Sequence, residues 1–373
     1  MDALINDLIF LIIDYAGYRT VSLFLPQKLI KYPYKYFIVR ADNDFNKINE
    51  MSTTKQLTKL ICRGNIHSIK WHRLVNLTDL NCKCTSIKVI PKELTNLTKL
   101  NCNDCYGIKK IPSELINLIT LKCDETMHLE SIPKSFVHLT ELYCSLTAIK
   151  KIPEELVNLT VLDCSHTYIT EIPETFINLV ELNCENNKIK EIPKKLINLT
   201  FLECGGTMIT QIPKELVNLT YLNCVGTKYC GNGMMKEIPK ELVNLTELDC
   251  GSSSVKKIPV ELINLVYLNC HNTPTKEIPK ELIKLEFLDC SRTRISEIPK
   301  ELIDLEELNC WDTRVKQIPK ELTKLIRLIC ADSPIRELPL SLHKFELYND
   351  NKSDWISSVT FFNAFCLFCK AVC

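Results

Sequence analysis

A cysteine returns every 20 or 21 residues through most of this chain, always two residues after a leucine that itself follows another leucine by three. The series is Cys62, Cys82, Cys102, Cys123, Cys144, Cys164, Cys184, Cys204, Cys224, Cys250, Cys270, Cys290, Cys310 and Cys330, with a single longer step of 26. Such a period makes the chain a tandem array of one structural unit. A unit of this length cannot fold alone, and stacked copies bury the apolar face that one copy leaves open.

One unit runs from Leu159 through Leu162, Cys164, Thr167, Ile169, Ile172, Pro173 and Phe176, and Leu179 begins the next. Leu162, Asp163 and Cys164 alternate apolar with polar, as a strand covered on one face does, so successive units predict a parallel sheet. A Thr column, or Ser, Asn or Cys105 in its place, is positioned to bond buried backbone amides at the following turn. Thirteen of the 17 prolines sit in the Ile-Pro step or its Leu-Pro equivalent, from Pro91 to Pro339. The residue before proline is forced extended, which leaves no room for a full helix and predicts short turns or 3₁₀ segments there. Thirteen steps of ~4.8 Å give a body roughly 60 Å long.

The template L-x-x-L-x-C-x-x-T-x-I-x-x-I-P-x-E-L-x-N resembles the leucine-rich repeat, whose strand segment reads L-x-x-L-x-L-x-x-N/C-x-L. Cys stands in the third leucine's place and Thr in that of the asparagine. The resemblance implies an α/β solenoid, a horseshoe with a parallel concave sheet and non-repeat caps. Short cysteine-bearing repeats of this kind are similar to those abundant in amoebal protists and their giant viruses.

Twenty cysteines and six N-L-T triplets, at Asn76, Asn96, Asn158, Asn198, Asn218 and Asn244, would suit a secreted, glycosylated protein. The repeat supplies a simpler origin, since fourteen cysteines occupy a buried aliphatic position and behave as small hydrophobes. Side chains running parallel from stacked coils suit a disulfide poorly. Residues Met1 to Tyr15 carry Asp2, Asp7 and Asp14 and lack a basic start, so no signal peptide is expected, and no stretch is long enough to span a membrane. An intracellular, cytoplasmic protein is the expectation. A net charge of +1 predicts no bulk attraction to nucleic acid.

Solvent-facing strand positions carry fifteen acids against seven bases, with aromatics among them. Phe201, Tyr221, Tyr267 and Phe287 share one column, interrupted by Glu247, while Tyr143 and Trp311 lie in adjacent columns. Aromatic anchors typify interface cores. The concave face is therefore expected to bind a protein partner with a basic, partly apolar surface through Tyr143, Phe201, Tyr221, Glu247, Tyr267, Phe287 and Trp311. The alternative is that repeat drift scattered these rings.

Three regions are expected: an N-terminal cap over 1–50, the solenoid over 51–342 with a six-residue insert at Tyr229 to Met234, and a hydrophobic C-terminal cap over 343–373. Within the first, Leu4, Leu8, Leu11, Ile12 and Tyr15 recur at helical spacing. The run Asp7 to Tyr15 followed by Ser22 to Leu25 resembles an F-box, although the usual Leu-Pro opening is missing and Pro26 stands where a third helix should start. That resemblance implies docking of a cullin ubiquitin-ligase adaptor through Leu8, Leu11 and Ile12, with the repeats recruiting the substrate. In the tail, Cys366, Cys369 and Cys373 lack a fourth zinc ligand. Seven histidines show no repeated offset to a serine, cysteine or carboxylate, and no phosphate-binding or metalloprotease motif occurs. No enzymatic activity, cofactor or metal is expected.

Overall fold

The computed structural model describes residues 36–39, 57–64, 71–226, 235–339 and 346–347. They form one parallel sheet of sixteen strands in strict chain order, without crossovers. It begins with β1 (Tyr36–Val39) and β2 (Lys59–Cys62), continues through thirteen three-residue strands from β3 (Asp79–Asn81) to β15 (Arg327–Ile329), and ends with β16 (Glu346–Leu347). One strand thus precedes residue 51 and one follows residue 342. The 26-residue step leaves the register intact, because Leu222 still faces Leu248.

The three-residue strands point their central leucine inward and their two neighbours outward, with Thr120 as the buried exception. All fourteen ladder cysteines are buried and free. Loss of hydration is the main cause that raises the thiol pKa of twelve of them, to about 12 for Cys62 and Cys204. Such thiols stay protonated and pack as apolar groups.

The Thr column bonds the expected amides, Thr207 Oγ1 accepting from the Ile209 amide and Thr293 Oγ1 from the Ile295 amide, each at 3.4 Å, and it bonds a carbonyl besides. Its hydroxyls donate to the carbonyl of the ladder cysteine three residues earlier, as in Thr167 to Cys164 at 2.7 Å, Thr207 to Cys204 at 2.6 Å and Thr293 to Cys290 at 2.6 Å. The chain bends inward just after the strand, so it is this carbonyl, more than an amide, that would otherwise be buried unpaired. Asn187 does both, accepting from the Thr167 amide at 3.1 Å and donating to the Cys164 and Cys184 carbonyls at 2.8 and 3.2 Å. Cys105 imitates it, its Sγ lying 2.9 Å from the Cys82 carbonyl.

Two residues after thirteen of the fourteen ladder cysteines the backbone turns left-handed, in residues as varied as Leu146 (φ 54°), Arg292 (53°) and Asp332 (57°). A non-glycine residue there is strained. The offset is an inter-coil hydrogen bond: the Leu146 amide reaches the Ser165 carbonyl at 3.1 Å and that of Arg292 the Trp311 carbonyl at 2.8 Å.

The return path beyond Ile-Pro is two consecutive tight turns, such as Leu216 N to Pro213 O at 3.2 Å and Leu219 N to Leu216 O at 3.1 Å. The 3₁₀ turn at Trp71–Arg73 is the one helical element among the described residues. No helix there is long and apolar enough to cross a membrane. The repeat asparagines are structural. Asn198 Nδ2 donates to the Ile177 carbonyl at 2.9 Å and Asn218 Nδ2 to that of Ile197 at 2.9 Å, which accounts for the recurring N-L-T triplets.

Candidate functional site

Because every strand keeps register with the next, residues at one strand position form a row across the sheet. The row of first positions crosses β8 (Glu181–Asn183), β9 (Phe201–Glu203), β10 (Tyr221–Asn223), β11 (Glu247–Asp249), β12 (Tyr267–Asn269), β13 (Phe287–Asp289) and β14 (Glu307–Asn309). It reads Glu181, Phe201, Tyr221, Glu247, Tyr267, Phe287, Glu307. Phe201 stacks on Tyr221 with centroids 4.3 Å apart and planes 9° from parallel; Tyr267 stacks on Phe287 at 4.4 Å and 6°. The Tyr221 hydroxyl donates to Glu203 Oε1 at 3.2 Å. Burial, reinforced by Glu203, pushes that phenol up to about 12.

The four column aromatics thus assemble as two stacks. The other two expected anchors already hold cations of their own chain. Lys122 Nζ lies 4.4 Å from the Tyr143 ring centroid, and the Arg292 guanidinium lies 4.4 Å from that of Trp311, whose Nε1 donates to Asp332 Oδ2 at 2.9 Å. Each cation sits one coil before its ring, at an offset that only register and side-chain direction together reveal.

The acids of this face divide into two groups. Third-position aspartates and asparagines bond the backbone and one another: Asp289 Oδ1 accepts from the Ser291 amide at 2.9 Å, and Asn309 Nδ2 donates to Asp289 Oδ2 at 2.9 Å. Desolvation raises the carboxyl pKa of Asp124, Asp249 and Glu203. Ion pairs hold others, Lys59 with Asp79 at 3.0 Å, Lys83 with Asp104 at 3.7 Å and Arg327 with Glu307 at 2.7 Å. The carboxylates of Glu181 and Glu247, both exposed, form no hydrogen bond or ion pair with a described residue.

One serine and one histidine that the sequence did not link are brought together. Asn272 Nδ2 donates to Ser252 Oγ at 3.2 Å, and Ser252 Oγ lies 3.2 Å from His271 Nε2. His271 Nδ1 lies 3.0 Å from Asn269 Oδ1, and Asn269 Nδ2 donates to Asp249 Oδ2 at 3.0 Å. Gly251 makes this possible, since a Cβ there would fall 2.1 Å from the His271 ring. The neighbouring Ser252 and Ser254 amides are bonded to the His271 and Met235 carbonyls, so neither is aimed at a reacting oxyanion of the kind that acyl-transfer chemistry requires. The run ties the turns after β11 and β12 together. Among the described residues no group of three or more His, Cys, Asp or Glu is placed to hold a metal ion. Leu8, Leu11, Ile12, the Tyr229 to Met234 insert and Cys366, Cys369 and Cys373 lie outside the described residues.

Comparison with known proteins agrees with this architecture. The family model described as Leucine Rich Repeat matches residues 158–179. The functional domain of InlJ from Listeria monocytogenes, which includes a cysteine ladder, is 29% identical with a TM-score of 0.69, covering 77% of this chain and 66% of that one. A leucine-rich repeat protein of Leptospira interrogans is 24% identical with a TM-score of 0.65, covering 85% and 94%. The leucine-rich repeat ectodomain of the Arabidopsis receptor kinase HAESA, solved with a peptide hormone ligand, is 21% identical with a TM-score of 0.63, covering 83% and 60%. A search of curated proteins found no match.

Proposed function

We propose that this leucine-rich repeat protein is an interaction module whose sheet face binds a protein segment bearing basic and apolar side chains. The observation that carries the reading is the row from Glu181 to Glu307, two aromatic stacks bounded and divided by carboxylates on a rigid sheet. Its six strand steps span about 29 Å, the length of an extended segment of about nine residues. Aromatic rings supply contact area at low entropic cost, and the flanking acids steer a cationic segment into register. That the similar HAESA ectodomain was solved with a peptide supports a peptide-sized ligand. The sixteen described cysteines, all free, fit a reducing compartment.

Selection of a random peptide library on the wild-type protein tests this. The recovered peptides should be basic and partly apolar and should lose at least about tenfold in affinity for the variant Phe201→Ala, Tyr221→Ala, Tyr267→Ala, Phe287→Ala, consistent with interface anchors of 1–2 kcal/mol or more. Their binding should weaken as salt rises. Peptides that bind the folded quadruple variant as tightly as wild type would remove the assignment. Recruitment of a cullin-ligase adaptor through Leu8, Leu11 and Ile12 is the second reading of the sequence, and no structural observation favours it.

A further inference from the structure

The row Glu181, Phe201, Tyr221, Glu247, Tyr267, Phe287, Glu307 is symmetric about Glu247. Each tyrosine stacks on the phenylalanine of the strand on its far side from β11, at 4.3 and 4.4 Å. The Tyr221 hydroxyl is also bonded to Glu203 of β9. Standing two strands apart, the two tyrosine rings are about 10 Å from each other, twice the ~4.8 Å strand spacing. Carbon van der Waals contact leaves about 6 Å between their surfaces. Between them on β11 is the exposed Glu247, whose carboxylate has no hydrogen-bond or ion-pair partner among the described residues.

We propose that the slot formed by Tyr221, Glu247 and Tyr267 binds one organic cation, the ammonium or guanidinium end of a partner's side chain. A charge seated over the Glu247 carboxylate lies about 5–6 Å from both rings, within the ~6 Å reach of a cation–π contact. The width favours an ammonium enlarged by methyl groups. A bare ammonium is compact and strongly hydrated, while a flat guanidinium covers one ring at a time. The protein uses the same chemistry internally on this face, in Lys122 over Tyr143 and Arg292 over Trp311. Glu181 and Glu307 each flank a single ring, and Glu307 is already bonded to Arg327 at 2.7 Å, so Glu247 is the one carboxylate of the row with an aromatic on both sides.

This assignment rests on the sheet face being the binding surface, and its test is separable from that reading. The probes are capped trimethyllysine, lysine and arginine, and the neutral analogue of trimethyllysine in which carbon replaces the quaternary nitrogen. Binding to the full chain is followed by saturation-transfer NMR. Millimolar binding of a cation is expected, about tenfold weaker for the neutral analogue, for Glu247→Gln and for Tyr267→Leu, while Tyr221→Phe, which keeps the ring, stays near wild type. Tightest binding by trimethyllysine assigns a modified lysine, and tightest binding by arginine an unmodified basic segment; either upholds the slot.

No binding by any cation at tens of millimolar overturns the slot, as does equal binding by the neutral analogue or by folded Glu247→Gln. If library peptides lose affinity for the quadruple alanine variant while the cation probes ignore Glu247→Gln, the face stands and the slot falls. If the peptides ignore the quadruple variant while the cations bind as expected, the slot stands and the face reading falls.

Discussion

Replacing Asn187 by leucine, a side chain of nearly the same shape, isolates what a buried hydrogen-bond set contributes to this solenoid. Asn187 is 5% exposed. Its Oδ1 accepts from Thr167 N at 3.1 Å and Thr167 Oγ1 at 2.9 Å, and its Nδ2 donates to the Cys164 and Cys184 carbonyls at 2.8 and 3.2 Å. In Asn187→Leu the Cys164 carbonyl keeps the Thr167 hydroxyl at 2.7 Å, whereas the Thr167 amide and the Cys184 carbonyl lose these partners. At about 1–3 kcal/mol for each buried polar group left unmet, and with a small gain from the added apolar surface, the loss should be about 3 kcal/mol. Asn187→Thr restores the hydroxyl-to-carbonyl bond that Thr207 and Thr293 make in their own coils and leaves the Thr167 amide as the chief loss, so it should cost about 1 kcal/mol. Urea unfolding followed by circular dichroism gives the totals. Because repeat arrays transmit stability mainly to adjacent coils, hydrogen exchange should show the loss concentrated between residues 164 and 207. A leucine variant within about 0.5 kcal/mol of wild type, or a threonine variant costing more than leucine, would refute the reasoning.

Two further outcomes follow from the burial of titratable groups. Alkylation of the native protein, mapped by mass spectrometry, should modify exposed Cys84 and spare the fourteen ladder cysteines until denaturant is added; a ladder cysteine labelled as fast as Cys84 would contradict the packing. Desolvation above all raises the folded carboxyl pKa of Glu203 above that of an ordinary glutamate, so its proton is held more tightly folded than unfolded. Its contribution is then fully present below about pH 4.5 and lost as pH rises through the folded value. Glu203→Gln should therefore be more stable than wild type at pH 7 and lose that advantage at pH 4, and an advantage that does not change with pH would show that the desolvated charge is not its cause.

The internal period, the strand at Leu162 to Cys164, the extended Ile-Pro step and the lack of space for a helix were all determined by the sequence itself, because each depends on local sterics and on a repeat that forces equivalent residues into equivalent places. The same logic placed Phe201, Tyr221, Tyr267 and Phe287 in one row. Tertiary structure decided how that row is used. Which neighbour a ring leans on depends on side-chain direction and on bonds from other columns, as when Glu203 holds the Tyr221 hydroxyl. Lys122 and Arg292 occupy the faces of Tyr143 and Trp311 from one coil away, which residue counting alone does not resolve among several reachable cations. The acids of the face look equivalent in the sequence, yet Asp289 is bonded to the backbone and an asparagine, Glu307 is paired with Arg327, and Glu247 is left facing solvent between two tyrosines. Composition fixes how many charges the face carries, whereas desolvation and hydrogen bonding, which arise only once the coils stack, decide which of them remain available to a partner.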